Sequence, residues 1–145
     1  MARHLVVAHQ TAESEELRQR LLELAAADRE AEFVLLVPAT PVSGLLVWDE
    51  GHSEDIARRR AAAARTHLAS AGLRVVDARV GDGDPHSAVA DELGSSQGYA
   101  TIVLATLPPG ISRWLGMDLP ARVRRMAQGS EVIHVVSQAP VATPS

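Results

Sequence analysis

Cysteine is absent from the 145 residues, so the chain has no disulfide framework, no thiol nucleophile and no thiolate zinc site. Lysine is absent too: all 14 basic residues are arginine. That excludes a Walker-type phosphate-loop lysine, a Schiff-base lysine and the lysine of a phospho-receiver domain, a natural rival of similar length and strand–helix order. Aromatics are scarce, with one Phe, one Tyr and two Trp, so the core must be aliphatic, built from Leu, Val, Ile and Ala. No apolar run approaches the roughly 20 residues of a membrane span. The formal net charge is −4, and no basic stripe follows the chain, which argues against a nucleic-acid partner. Residues 1–10 read as a short strand, not as a charged start leading into an apolar signal segment. A cytoplasmic location without membrane contact is the default expectation.

What is present is alternation. Strand patterns at residues 4–8 (HLVVA), 33–37 (FVLLV), 73–80 (partly alternating, as near a sheet edge), 101–106 and 131–137 (EVIHVVS) are separated by helical patterns. The helix expected over residues 11–28 places Glu13, Glu15 and Glu16 near its positive end and Leu17, Leu21, Leu24 and Ala25 on its apolar stripe. The second, over 53–71, is rich in Ala and Arg. Ile56, Ala63, Ala64, Leu68 and Ala71 form its expected core face, Arg58, Arg59, Arg60 and Arg65 its solvated face, and Gly72 its stop. Asp84 and Pro85 mark the start of the third, with Val89 and Leu93 inward. The last, over 119–127, turns Leu119, Val123, Met126 and Ala127 inward. Residues 38–52, with the apolar patch Leu45 to Trp48, read as a loop covering the core or serving as a flap. Such an order implies a parallel sheet with helices on both faces, a three-layer α/β/α sandwich. One domain over 1–138 with a flexible tail over 139–145 is expected.

The stretch from Thr101 to Val123 (TIVLATLPPGISRWLGMDLPARV) says most about function. A buried strand runs into Leu107-Pro108-Pro109-Gly110, a turn by composition. Asp118-Leu119-Pro120 then reads as a helix start, with Asp118 as N-cap and Pro120 in the first turn. In open α/β sheets, a strand leading through a loop to a helix N-terminus is where backbone N–H groups and the helix dipole meet an anion.

In order and spacing the chain resembles a universal stress protein domain, a relative of the adenine nucleotide alpha hydrolases. The resemblance implies five parallel strands in the order 3-2-1-4-5, and so a crevice between the ends of strands one and four. It implies a Gly-x-x-Gly loop and a following Gly-Ser or Gly-Thr that hold ATP phosphates. Here Ile111-Ser112-Arg113-Trp114-Leu115 and Ala121-Arg122-Val123 match the family's segments, with a one-residue deletion near Gly110. Pro108 stands in place of the first glycine, and Met117-Asp118 in place of Gly-Ser. The two prolines remove two N–H donors. Asp118 would set a carboxylate at the helix N-terminus, where it repels a second anion by roughly 1–4 kcal/mol at contact distance. The berth is therefore expected to be filled by the protein's own acid. The remaining donors are the amides of Gly110, Ile111 and Ser112, the hydroxyls of Thr106 and Ser112, and Arg113 and Arg122. His9 stands where nucleotide-binding relatives place an Asp that contacts base or sugar, and it both donates and accepts.

Those residues imply a regulatory or small-ligand role, with ATP, AMP or a small anion bound in a weak or altered mode. A dimeric interaction protein that binds no nucleotide is the alternative. A nucleotide or phosphoester hydrolase is the least favoured reading: Ser112 with His9 as base lacks a Gly-x-Ser-x-Gly elbow. Other candidates have plainer readings. Arg113 and Arg122 pair with Asp118, Trp114 packs, and Asp82 and Asp84 form a turn and cap instead of a calcium loop. His52 lies in an acidic loop, and His67 and His134 sit alone within their elements. The last strand is apolar on both faces, which together with the resemblance implies a homodimer formed through its edge.

Overall fold

The computed structural model describes residues 2–40, 50–95 and 98–138. The apolar patch Leu45 to Trp48, the side chain of His52 and the expected tail lie outside what is described. Strands β1 (Arg3–Val7), β2 (Glu32–Pro38), β3 (Val75–Gly81), β4 (Tyr99–Thr106) and β5 (Glu131–Val136) alternate with helices α1 (Glu15–Ala27), α2 (Glu50–Ser70), α3 (Pro85–Ser95), α4 (Arg113–Gly116) and α5 (Leu119–Met126). All strand pairs are parallel, and the order is β3-β2-β1-β4-β5. This is the expected architecture, with β3 and β5 at the edges.

The order follows from what each strand can bury. Leu5, Val6 and Val7 of β1, Phe33 to Val37 of β2 and Ile102 to Leu104 of β4 are all at most 2% exposed. Each fully buried side chain of this size contributes roughly 1.5–3 kcal/mol, so these three strands take the middle. Alternation then sorts the side chains. Val6, Phe33, Leu35, Val37, Val103 and Ala105 join α1 and α2 in one core layer. Leu5, Val7, Val34, Leu36, Ile102 and Leu104 join α3, α4 and α5 in the other. β3 and β5 are only half-buried along most of their length.

Three expectations need correction. α1 begins at Glu15, not at residue 11, because the Ser14 hydroxyl accepts the Leu17 amide at 3.2 Å and sets the cap there. α2 is rotated relative to the expected face: Ala57, Ala61, Ala64 and Leu68 are buried, while Ala63 is exposed and Ile56 half-buried. A run of alanines carries no size contrast, so packing against β2 and β3 chose the phase. α4, a single turn capped by Ser112, was not anticipated; the Ser112 hydroxyl accepts the Leu115 amide at 3.2 Å. Elsewhere the punctuation behaves as expected. Gly72 has φ 94° just past α2. Asp84 begins α3, receiving Ser87 Oγ at 2.8 Å, and Asp82 accepts the Asp84 amide at 2.8 Å, so turn and cap account for both acids.

Candidate functional site

β1 and β4 are neighbours in the sheet, with Val7 opposite Leu104. Their connections leave in opposite directions, since β2 lies beyond β1 and β5 beyond β4. This is the switch point at which open α/β sheets hold ligands. The exits of His9 and Thr106 are therefore brought together.

Hydroxyl groups lace this end of the sheet. Thr11 Oγ1 donates to the Ala105 carbonyl at 3.1 Å, pinning the β1–α1 connection over β4. The Ser14 and Ser137 hydroxyls are 2.7 Å apart, and the Ser137 amide donates to the Thr106 carbonyl at 2.8 Å. Thr106 Oγ1 lies 2.8 Å from His134 Nε2. Burial, with a smaller contribution from Arg124, lowers the His134 pKa, so the bond is between two neutral groups at pH 7. The Thr106 hydroxyl expected to meet a ligand is thus engaged within the protein.

The loop after β4 closes on itself. The amides of Ile111 and Ser112 both donate to the Pro108 carbonyl, at 3.1 and 3.0 Å. Gly110 allows that turn with φ 88°, a conformation other residues resist. Two of the three expected amide donors are therefore consumed. The Gly110 amide alone donates to no group among the described residues. The Ser112 hydroxyl serves α4 as its cap, so it forms no pair with His9.

Asp118 does not fill the berth. It occupies the residue before α5 as expected, but its backbone is left-handed (φ 55°, ψ 42°) and its side chain makes no cap hydrogen bond. A capping Asp needs an extended backbone to fold its carboxylate back onto the first amides. Here α4 ends two residues earlier, and the chain must reverse too tightly for that. The carboxylate is exposed, and among the described residues it forms no ion pair with Arg113 or Arg122. Arg113 is exposed and Arg122 half-buried. The cradle is closed, but by the Pro108 carbonyl instead of a side-chain acid.

His9 is different. It is only 5% exposed, and neither ring nitrogen has a hydrogen-bond partner among the described residues. Desolvation, then the positive charge of Arg60, pushes its pKa down to about 4, so the ring is neutral at pH 7. A neutral imidazole has one donor and one acceptor, and leaving each unmet costs about 1–3 kcal/mol. Arg60 Nε is also buried and has no partner among the described residues. Arg58, Arg59 and Arg65 are exposed as expected, whereas Arg60 is half-buried. Arg60 is three residues after Ala57 and four before Ala64, hence beside the buried stripe, a position that only the packed helix phase reveals.

Other side chains serve the framework. Trp114 is buried in the α3–α5 layer. His4 stacks on Phe33 with ring centroids 5.3 Å apart. Glu92, missed in the sequence, accepts from Tyr99 Oη and Arg79 Nη1, both at 2.6 Å, while Arg79 Nε donates to Asp77 at 2.7 Å. The Tyr99 contact lies at the start of β4, away from the strand exits.

Known structures share this architecture. A universal stress protein from Archaeoglobus fulgidus superposes with a TM-score of 0.57 at 14% identity, covering 93% of each chain. The fold is that of the universal stress proteins. A universal stress protein solved in complex with cAMP matches 96% of this chain and 98% of its own, with a TM-score of 0.53 and 17% identity. A universal stress family protein from Burkholderia pseudomallei covers 92% and 94% at 0.51 and 16%. No protein-family model and no curated protein sequence matches the chain. The chain therefore shares the universal stress fold at low sequence identity. No helix among the described residues is long and apolar enough to cross a membrane.

Proposed function

We propose that this chain is a universal-stress-type binding protein of the cytoplasm, whose crevice takes a nucleotide or other small ligand through the exit of β1, in a weak and altered mode. The observation that carries it is His9: a buried ring at the fold's switch point whose two nitrogens are unmet among the described residues. Unmet polar atoms in an interior are costly, and a ligand that meets them recovers that cost. The cAMP complex of a structural neighbour supports a nucleotide as the first candidate. The closed β4 loop and the engaged Thr106 hydroxyl support weak phosphate contact at that end. Binding and signalling, not turnover, is the proposed role.

Calorimetry and thermal shift with ATP, AMP and cAMP, with and without Mg²⁺, test this. Ligand at about 100 times its Kd stabilises by about 2.7 kcal/mol, and His9→Phe should abolish the shift. A flat response to all three compounds would remove the reading.

A second reading is a dimeric interaction protein. Among the described residues β5 is paired only on its β4 side, and Val136 is 40% exposed. An open strand edge of this kind is a template for a second copy. Light scattering tests it: a monomer at high concentration would exclude it.

A further inference from the structure

We infer that the arginine face of α4 and α5 docks an acidic polypeptide segment, at a surface independent of the ligand site proposed above. Residues 113–125 hold four of the 14 basic residues and one of the 18 acids, in a chain whose net charge is −4. Arg113, Arg124 and Arg125 are exposed, and Arg122 is half-buried. None of the four forms an ion pair among the described residues. Arginines elsewhere behave differently. Arg18, Arg20 and Arg58 each pair with an acid three residues away on the same helix, and Arg3 and Arg79 reach acids on or beside the sheet. Neither α4 (RWLG) nor α5 (LPARVRRM) contains an acid.

Helix stability does not account for this arrangement. Cations favour the negative, C-terminal end of a helix. Arg124 and Arg125 do lie in the last turn of α5, but Arg122 lies in its first turn and Arg113 is the first residue of α4. Arg122 and Arg125, three residues apart, also repel each other. Burial of Leu119 and Val123 in the core turns the remaining positions of α5 outward, where the like charges collect. Two residues before Arg113 stands Ile111, 57% exposed and the most exposed large hydrophobic among the described residues.

Carboxylates complement such a face. A guanidinium fork donates two parallel hydrogen bonds to one carboxylate, and an apolar side chain on the same segment covers Ile111. A nucleic acid matches less well, because no basic stripe extends beyond these two short helices to track a phosphate backbone. A membrane surface matches less well because the apolar side of α5 is already spent on the core.

The test is fluorescence anisotropy of the full chain with a labelled peptide of alternating Glu and Leu, and with a Gln–Leu peptide as control. The acidic peptide should bind more tightly than the control and weaken as ionic strength rises. Arg124→Gln combined with Arg125→Gln should weaken it roughly threefold or more, and Ile111→Ser should weaken it as well. Arg29→Gln combined with Arg59→Gln removes the same charge from exposed positions elsewhere and should change binding by less than about twofold. Both double variants should keep the wild-type melting temperature, since the replaced side chains are exposed. If the two weaken the peptide equally, binding follows net charge and the docking face is wrong. Failure of the acidic peptide to bind would also overturn it. So would tighter binding of oligothymidylate or phosphatidylserine vesicles through Arg124 and Arg125, or self-association lost in that variant, since each names a different occupant.

Discussion

Acid should destabilise this protein through His9 well before its carboxylates titrate. The folded-state pKa is about 4 and the unfolded value 6.5. Above pH 6.5 the ring is neutral in both states, and the full native stability is present. Below it the unfolded chain takes up a proton that the folded chain refuses. Stability then falls by up to about 1.4 kcal/mol per pH unit until the folded pKa is reached. At pH 5 the loss from His9 is about 2 kcal/mol, or about 4–8 °C in Tm for a chain of this size. His4 and His134 are also lowered by burial and add in the same direction. The Glu15 carboxylate, held to about 2 by Arg18 and Gln19, changes charge only at lower pH, so the window above pH 5 isolates histidine. Urea unfolding at pH 7.5 and pH 5 of the wild type and His9→Asn measures the effect. The wild type should lose about 2 kcal/mol more than the variant. Equal losses would refute the interior, partnerless placement of the ring.

Three further outcomes follow from the geometry. Thr106→Val removes the 2.8 Å bond to His134 and should cost about 1–2 kcal/mol in chemical denaturation; a change below about 0.3 kcal/mol would mean the hydroxyl is not engaged there. Asp118→Gly relieves a left-handed backbone and should stabilise by about 0.5–1 kcal/mol. A loss of similar size would restore the side-chain cap, so the sign of the change decides. Gly81→Ala places a Cβ 2.8 Å from Ala88 Cβ and 3.0 Å from Leu36 Cδ1, where α3 packs on β2 and β3. Its melting temperature should drop by an amount equivalent to on the order of 1–3 kcal/mol, and an unchanged melt would contradict that packing.

The layers were legible because they depend on local chemistry. Short aliphatic runs such as FVLLV, bounded by turn residues, have few other ways to bury both faces than as central parallel strands. The Asp84-Pro85 start and the Gly72 stop acted through backbone conformation alone, and both stand where expected. Strand order came from the resemblance, not from the residues. The site was less legible. The sequence places His9, Thr106, Gly110 and Ser112 at or beyond the ends of the strands that meet at the switch point, but does not show what their polar groups bond to. The Ile111 and Ser112 amides turn to Pro108 because of a local closure whose shape depends on α4, a turn that composition did not reveal. Asp118 carries the right residue type for a cap, but the short α4–α5 connection imposes the wrong backbone angles. Arg60 was misassigned because the alanine run of α2 left its rotation undefined.

The amino-acid order by itself determined which segments become strands and helices and which end of the sheet gathers the polar groups, since period and punctuation act over a few residues. Only the tertiary structure decided which of those groups remain unmet. Hydrogen-bond satisfaction depends on partners brought from elsewhere in the chain: His134 reaches Thr106 across 28 positions, Ala105 receives Thr11 across 94, and among the described residues no group reaches His9.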